Sequence, residues 1–325
     1  MHRENTIIIG AGPCGMSCAI ELQKKGINPL LIEKENIVNT IYQFPTHQVF
    51  FSTSEKLEIG GLPFVTEKQK PNRLQALAYY QMVAERKQLR IHSFEEAIDI
   101  KHHGNAFKVI TKNQFNKIIH YETSHVIIAT GYYDQPNLLG VEGEDLDKVT
   151  HYFKEAQPYF GKDVVIVGGK NSAVDAAIEL QKAGANVTVL YRGSDYSPSV
   201  KPWILPLFDS LIRHEKITMV FNAQVTKITD KKVYYTVDHQ NKTIKNDFVF
   251  AMTGYQPNVS FLKQAGVEVD KLTGVPKYDE STYETNIPGL YVAGVVTAGF
   301  NNNAIFIENG RFHGEHIARS ILNKK

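Results

Sequence analysis

Thr6-Ile-Ile-Ile-Gly10-Ala-Gly12-Pro13-Cys14-Gly15 is the stretch that decides the fold, because the chain carries it twice. The second copy reads Val164-Val-Ile-Val-Gly168-Gly169-Lys170-Asn171-Ser172-Ala173, an offset of 168 − 10 = 158 residues. At that offset Ala19-Ile-Glu-Leu-Gln-Lys24 matches Ala177-Ile-Glu-Leu-Gln-Lys182 letter for letter. Each copy is an apolar β-branched run, a glycine turn, an amphipathic stretch closed by Gly26 or Gly184, and a second apolar run. That order predicts strand, turn, helix and strand, the opening of a dinucleotide-binding unit. A period of 158 residues is too long for a solenoid, so two similar folds in one chain are expected.

The first copy has the full G-x-G-x-x-G spacing in its required context. Gly10 permits the tight turn, Gly12 lets the backbone approach a pyrophosphate, and Gly15 lets the helix sit close to the strand. The helix that opens at Pro13 and Cys14 points unpaired amides and a partial positive charge at the phosphates. Glu33, at the tip of the next strand, is placed to accept hydrogen bonds from an adenosine ribose, with Lys34 beside it. In the second copy the counterpart of Glu33 is Tyr191 (33 + 158), followed by Arg192. Removing the acid and supplying a guanidinium is what a 2′-phosphate requires, so NADPH is expected there in preference to NADH. The competing reading makes Arg192 a solvated charge at a strand end. Lys170 stands where the middle glycine belongs, so the approach of backbone to phosphate is expected to differ locally. Its ammonium either compensates or leaves the site weaker.

Composition narrows the class. At roughly 150 residues per domain, 325 residues suggest two domains. Lys plus Arg is 36 and Asp plus Glu is 34, a net charge of +2 that lacks the field needed for nucleic acid or a polybasic membrane contact. The only cysteines are Cys14 and Cys18, which excludes a disulfide scaffold and cysteine-rich metal sites and fits a reducing cytoplasm. No apolar run reaches the length of a membrane span. The N-terminal stretch lacks a cleavage-site pattern, so no signal peptide is expected.

Between the two glycine turns lie an aromatic-rich segment, a helical stretch near Arg73–Glu85 and alternating segments near Phe107–Thr111 and Ile118–Tyr121 that suggest a small β-meander. A buried strand then ends in Ala129-Thr130-Gly131. Phe248 to Asn258 repeats that theme, and Gly289-Leu-Tyr-Val-Ala-Gly294 precedes a polar turn and a helix expected from about Ala304. The second unit is thus bracketed by two parts of the first. The expected class is α/β with two Rossmann-like domains: 134–253 binds NADPH and is inserted into a discontinuous FAD domain formed by 1–133 and 254–325.

The paired motifs, Ala129-Thr130-Gly131, Gly254-Tyr255-x-Pro257-Asn258 and the late Ala293-Gly294 resemble two-domain flavin reductases of the thioredoxin reductase type. More narrowly, Gly12-Pro-Cys14-Gly15, Pro45 to Ser52, Gly168 to Ala173 and Tyr196 to Pro206 resemble the bacillithiol disulfide reductases (bacilliredoxin reductases). The resemblance runs nearly end to end. It implies FAD and NADPH as cofactors, bacillithiol disulfide or a bacilliredoxin as partner, a cytoplasmic setting and a homo-oligomer. FAD would be held by Gly10, Gly12, Pro13, Cys14, Gly15, Glu33, Lys34, His47, Gln48, Thr130, Gly131, Gly294 and Ala304. NADPH would be held by Gly168, Gly169, Lys170, Asn171, Ser172, Ala173, Tyr191 and Arg192. Two departures from thioredoxin reductases stand out. The inserted unit has no cysteine and therefore no C-x-x-C, and Val295 occupies the position of the Asp that usually holds the ribitol.

NADPH delivers hydride to a flavin in such a protein, and the reduced flavin passes two electrons on. Cys14 is the candidate for disulfide turnover, since a helix N-terminus favours a thiolate. Its echo is Ser172, which supports the alternative that the slot needs a small side chain. Cys18, one helical turn along, reads as core. His47 and Gln48 either hydrogen-bond the flavin ring or satisfy local backbone. Tyr132 and Tyr133 either stack near a cofactor ring or pack in the core. His313 and His316 lack a third ligand, so no metal is expected. The segment from Tyr196 to Pro206, with Lys201 and Trp203, is a lid, a docking surface or a connector. Three competing functions remain: a reductase of ferredoxin or flavodoxin, which also lacks C-x-x-C; a flavin monooxygenase, whose F-x-G-x-x-x-H signature fails at Asp145 and Asp147 before His151; and a flavin-bound redox sensor.

Overall fold

A computed structural model describes residues 1–104, 106–301 and 303–324. The chain divides into two compact units, one formed by 1–135 with 255–325 and the other by 136–254. The observed division lies within two residues of the expected one at each end.

In the first unit, β1 (His2–Ile9) leads through the glycine turn into α1 (Pro13–Gln23) and on to β2 (Leu30–Ile32). α2 (Asn39–Gln43), α3 (Ser54–Leu57) and α4 (Arg73–Arg86) cover the connection to β3 (Arg90–His92). α4 starts on a capping box, in which Asn72 accepts from the Gln75 amide while Gln75 accepts from the Asn72 amide, both at 2.9 Å. β4 (Glu95–His103) and β5 (Ala106–Asn113) form the expected antiparallel meander with β6 (Ile118–Ile128). β6 is one long strand rather than two. It pairs in parallel with β1 along its length, while its other edge meets β5 up to Thr123 and then the returning strand from Val126. The apolar residues of β1 and the end of β6 are wholly buried, as a strand covered on both faces requires.

The second unit repeats the opening at the same spacing. β7 (Val149–Thr150) precedes β8 (Asp163–Val167), α5 (Asn171–Lys182) and β9 (Asn186–Leu190). α6 (Leu205–Arg213) leads to β10 (Ile217–Val220). β11 (Ala223–Ile228), β12 (Lys232–Val237) and β13 (Gln240–Lys245) make an antiparallel meander, and β14 (Phe248–Ala251) closes a parallel sheet of order β10-β9-β8-β14-β7. The chain then re-enters the first unit through α7 (Val259–Gln264) and β15 (Leu290–Val292), which joins β6.

The polar turn after Gly294 is a short 3-10 segment to Ala298, and the next helix starts later than expected. α8 (Ile307–Gly310) and α9 (His313–Asn323) follow, so Ala304 is an exposed turn residue rather than a helix start. The reason is local: the Asn309 side chain accepts from the Phe306 amide at 2.8 Å, which opens α8 at Ile307. α9 packs on α1 so closely that a Cβ on Gly314 would lie 2.7 Å from the Cys18 Cα.

Candidate functional site

The two glycine turns share their backbone hydrogen bonds residue for residue. The Gly10 amide donates to the Ile32 carbonyl at 2.8 Å, and 158 residues on Gly168 donates to Leu190 at 3.0 Å. Met16 donates to Gly12 at 2.9 Å, and Val174 to Lys170 at 3.0 Å. Gly10 has φ +106, and a Cβ there would meet the Ala129 carbonyl oxygen at 2.5 Å. Gly168 has φ +144 and faces the Met252 carbonyl oxygen in the same way at 2.4 Å. Gly15 could not carry a side chain, since its Cβ would lie 2.1 Å from the Gly10 carbonyl oxygen. Its echo Ala173 does carry one and is wholly buried. Gly12 and Lys170 are both extended, at φ −75 and −100, so the lysine needs no distortion of the turn. The expected local difference is therefore a side chain on an unchanged backbone, with Lys170 exposed.

These turns fit dinucleotides. No side chain caps α1 or α5, so the amides of each first turn stay available to an anion. A Cβ on Gly12 would meet nothing within 4 Å, leaving the approach to that turn clear. Glu33 is 8% exposed, and its carboxylate accepts from the Ala11 amide at 2.8 Å and the Glu35 amide at 3.1 Å. Burial raises its pKa, and those two amides oppose the rise. The carboxylate is thereby held over the turn, with lone pairs left for ribose hydroxyls. Lys34 pairs with Asp134 at 2.9 Å.

At the second turn the tip residue is an aromatic ring. A Cβ on Gly169 would lie 2.4 Å from the Tyr191 ring, and one on Gly193 would lie 2.5 Å from it, so the ring rests on two glycines. Arg192 is exposed, and among the described residues no carboxylate pairs with it. Asn171 opens α5 and spends its side chain on the following loop, donating to the Ser199 carbonyl and accepting from the Lys201 amide, both at 2.9 Å. Ser172 is exposed.

Cys14 departs from expectation in its chemistry. The residue is partly exposed, but its Sγ lies 2.9 Å from where a Gly310 Cβ would be and 3.1 Å from that of Gly294. Burial, and then the Glu308 carboxylate, push the thiol up to about 12, so the helix N-terminus does not produce a resting thiolate. Cys18 is wholly buried in the core, as expected. Glu308 in turn accepts from the Ser52 hydroxyl.

Gly294 is held from both sides by side chains that sequence reading did not single out for this. Its amide donates to His313 Nδ1 at 3.1 Å, and its carbonyl accepts from Thr297 at 2.8 Å. His313 therefore carries its proton on Nε2, and its ring stacks on Tyr283 at 4.1 Å. Burial, then His316, lower its pKa from 6.5 to about 4. Between these values the unfolded chain binds a proton that the folded chain refuses. Stability is therefore expected to be insensitive to this group above pH 6.5 and to fall by about 3 kcal/mol as pH drops to 4, by 1.36 kcal/mol per pKa unit. Urea unfolding at pH 7 and 4.5 checks this, since His313→Asn should lack that part of the loss. Equal losses in both proteins remove His313 as the cause.

The remaining expected residues are placed as follows. Thr130 and Gly131 follow the end of β6, with Thr130 beside Gly10, and Gly131 has φ +72. The Gln48 side chain donates to the Val49 carbonyl at 2.8 Å, and His47 is exposed. Tyr133 packs on Tyr255 at 4.3 Å and on Phe44 at 5.7 Å, an aromatic cluster within the first unit. Among the described residues no group of His, Cys, Asp and Glu could hold a metal, and no helix is long and apolar enough to cross a membrane. Arg311 was missed altogether. It donates to the Glu58 and Glu55 carbonyls at 2.5 and 3.1 Å, and its own carbonyl accepts from Ser17 on α1 at 2.6 Å. No local pattern could have signalled a contact spanning more than 250 residues.

Two glycine turns of this geometry define a two-dinucleotide oxidoreductase, and residues 7–294 match the family model described as pyridine nucleotide-disulphide oxidoreductase. The chain belongs to that family, and it is an oxidoreductase that uses FAD and NADPH. It is 57% identical to the bacilliredoxin reductase Bdr of Bacillus subtilis (strain 168), across 100% of this chain and 99% of that one. The solved structure of bacillithiol disulfide reductase Bdr (YpdA) from Bacillus cereus matches with a TM-score of 0.98 at 56% identity, covering both chains fully. T. acidophilum thioredoxin reductase shares the fold, with a TM-score of 0.77 at 24% identity over 100% of this chain and 99% of that one.

Proposed function

We propose that the first unit holds FAD, the second holds NADPH, and the enzyme reduces bacillithiol disulfide or the mixed disulfide of a bacilliredoxin, with Cys14 as the reacting thiol. One observation carries the assignment of the sites. The turns keep the same hydrogen bonds at a constant offset of 158 residues while the side chain at the strand tip changes from a buried carboxylate to Tyr191-Arg192. The substrate is supported by the likeness to proteins named for bacillithiol disulfide and bacilliredoxin. FAD, when bound, supplies the two-electron chemistry that links a hydride donor to a disulfide.

The chain's own residues do the rest. Gly10, Gly12 and Gly15 keep the first turn open and close to β1, and the uncapped amides of α1 face the diphosphate. Pro13 fixes the first residue of that helix, and Glu33 orients the ribose. His313 and Thr297 hold the Gly294 turn against Cys14. The thiol rests protonated, so reaction with a disulfide requires that its proton leave. Gly168, Gly169 and α5 repeat the phosphate cradle, and Arg192 pairs with the 2′-phosphate. The enzyme acts in the cytoplasm as a homo-oligomer in this reading.

The test is NADPH oxidation by the FAD-loaded protein with bacillithiol disulfide, glutathione disulfide or ferredoxin as acceptor. Turnover with bacillithiol disulfide well above the other two is the expected result. Faster reduction of ferredoxin overturns it in favour of a one-electron reductase, and no turnover with any disulfide favours a sensor.

A further inference from the structure

The segment Tyr196–Pro206 is built into the second unit. Val200 is 5% exposed in the core beneath α5, and Ile204 and Leu205 pack against the same cluster. The Tyr196 hydroxyl donates to Asp209 at 3.1 Å, and its ring meets Phe208 and Phe221 edge-on at 6.2 and 5.3 Å. Ser197 and Ser199 share a hydroxyl hydrogen bond at 2.8 Å. The segment is therefore a fixed loop.

The Asn171 side chain ties this loop to the glycine turn. Asn171 is the first residue of α5, the position occupied by proline in the first copy. There the side chain has no role within its own helix. Its amide instead bridges the Ser199 carbonyl and the Lys201 amide, both at 2.9 Å. The loop is thus drawn to the end of the helix whose amides face the phosphates. It begins four residues after Arg192, and through Asn171 its Ser199–Lys201 stretch meets the residue that follows Lys170. The Lys201 ammonium lies over the Trp203 ring at 5.9 Å, so what the clasp fixes at the helix end is the Ser199–Lys201 backbone.

We propose that Asn171 is a positioning residue that clasps the loop onto the turn and makes Ser199–Lys201 one wall of the pyridine-nucleotide site, a proposal that rests on the assignment of NADPH to the second unit. The clasp acts on binding. Without it the loop keeps its anchors at Tyr196 and Val200, but the Ser199–Lys201 stretch between them and the helix end must be brought into place by the nucleotide, which weakens affinity.

Asn171→Ala is expected to raise the NADPH KM about tenfold while kcat at saturating NADPH falls less than twofold. Chymotrypsin, which can cut after Trp203 (58% exposed), reads the loop independently of turnover. Cleavage is expected to be faster in Asn171→Ala than in the parent, and NADP⁺ should protect the parent more. Asn171→Gln, which keeps the donor and acceptor, is expected to recover part of both, and it serves as the test if the alanine variant does not fold. An unchanged KM overturns the proposal, whether or not cleavage is faster. A raised KM with unchanged cleavage also overturns it, because Asn171 would then act directly on the nucleotide. Arg192→Ala run alongside separates the two levels: if it raises the NADPH KM and Asn171→Ala does not, only the clasp fails. If neither does, the assignment of the second unit fails with it.

Discussion

Cys14→Ser is expected to lose disulfide turnover by more than a hundredfold while the flavin absorbance still falls at the parent's rate on mixing with NADPH. Serine preserves the size of the side chain packed against Gly294 and Gly310, so the cradle should survive. What it removes is a group able to form a mixed disulfide. Because burial holds the thiol near 12, only roughly one thiol in ten thousand is ionised at pH 8. The ionised fraction grows tenfold per pH unit below that value. Disulfide turnover in the parent is therefore expected to climb steeply from pH 7 to 9, with flavin reduction by NADPH lacking that slope. Stopped-flow absorbance for the first step and steady-state NADPH consumption for the second check both points. Unimpaired disulfide turnover in the serine variant removes Cys14 from the chemistry and leaves it a space-filling residue, as its echo Ser172 suggests.

The second large effect falls on Arg192→Ala. A charge-assisted hydrogen bond to a 2′-phosphate is worth about 1.5–3 kcal/mol, or roughly ten- to hundredfold in NADPH affinity. NADH has no such phosphate, so its KM should barely move, and the preference between the two nucleotides should collapse. Arg192 is exposed and without a carboxylate partner among the described residues, so added salt should erode the parent's preference by screening. Parallel kcat/KM measurements with both nucleotides at two salt concentrations decide the matter. Equal efficiency with NADPH and NADH in the parent would sink the role given to Arg192.

The features legible in the sequence were those with local causes. Gly10 and Gly168 announce themselves because only glycine tolerates their φ so close to a neighbouring carbonyl, and the constant offset carries this to every equivalent residue. The pairing of β6 with two different partners was not legible, since strand order is a long-range property and 118–128 read as two segments. The start of α8 was placed three residues early because an Asn309 cap outweighs the apolar run at Ala304 and Ile305. The ionisation of Cys14 ran opposite to the helix-dipole rule because that rule assumes exposure, whereas the surroundings of this sulfur come from Gly294 and Gly310, nearly 300 residues away. In the sequence His313 reads only as a histidine with no metal to bind. It is a neutral acceptor for one backbone amide, a role that only the folded chain reveals.

The division of β6 between β5 and β15 has a consequence for biosynthesis. Ile128 leaves the ribosome 290 − 128 = 162 residues before Leu290, the first residue of the strand that must lie beside it. At about 5–20 residues per second the nascent edge waits roughly 10–30 s. During that interval the whole of 136–254 emerges with every strand it needs. The later-encoded module can mature first, and its host stays unfinished, with a sticky border shown to chaperones, until translation is almost over.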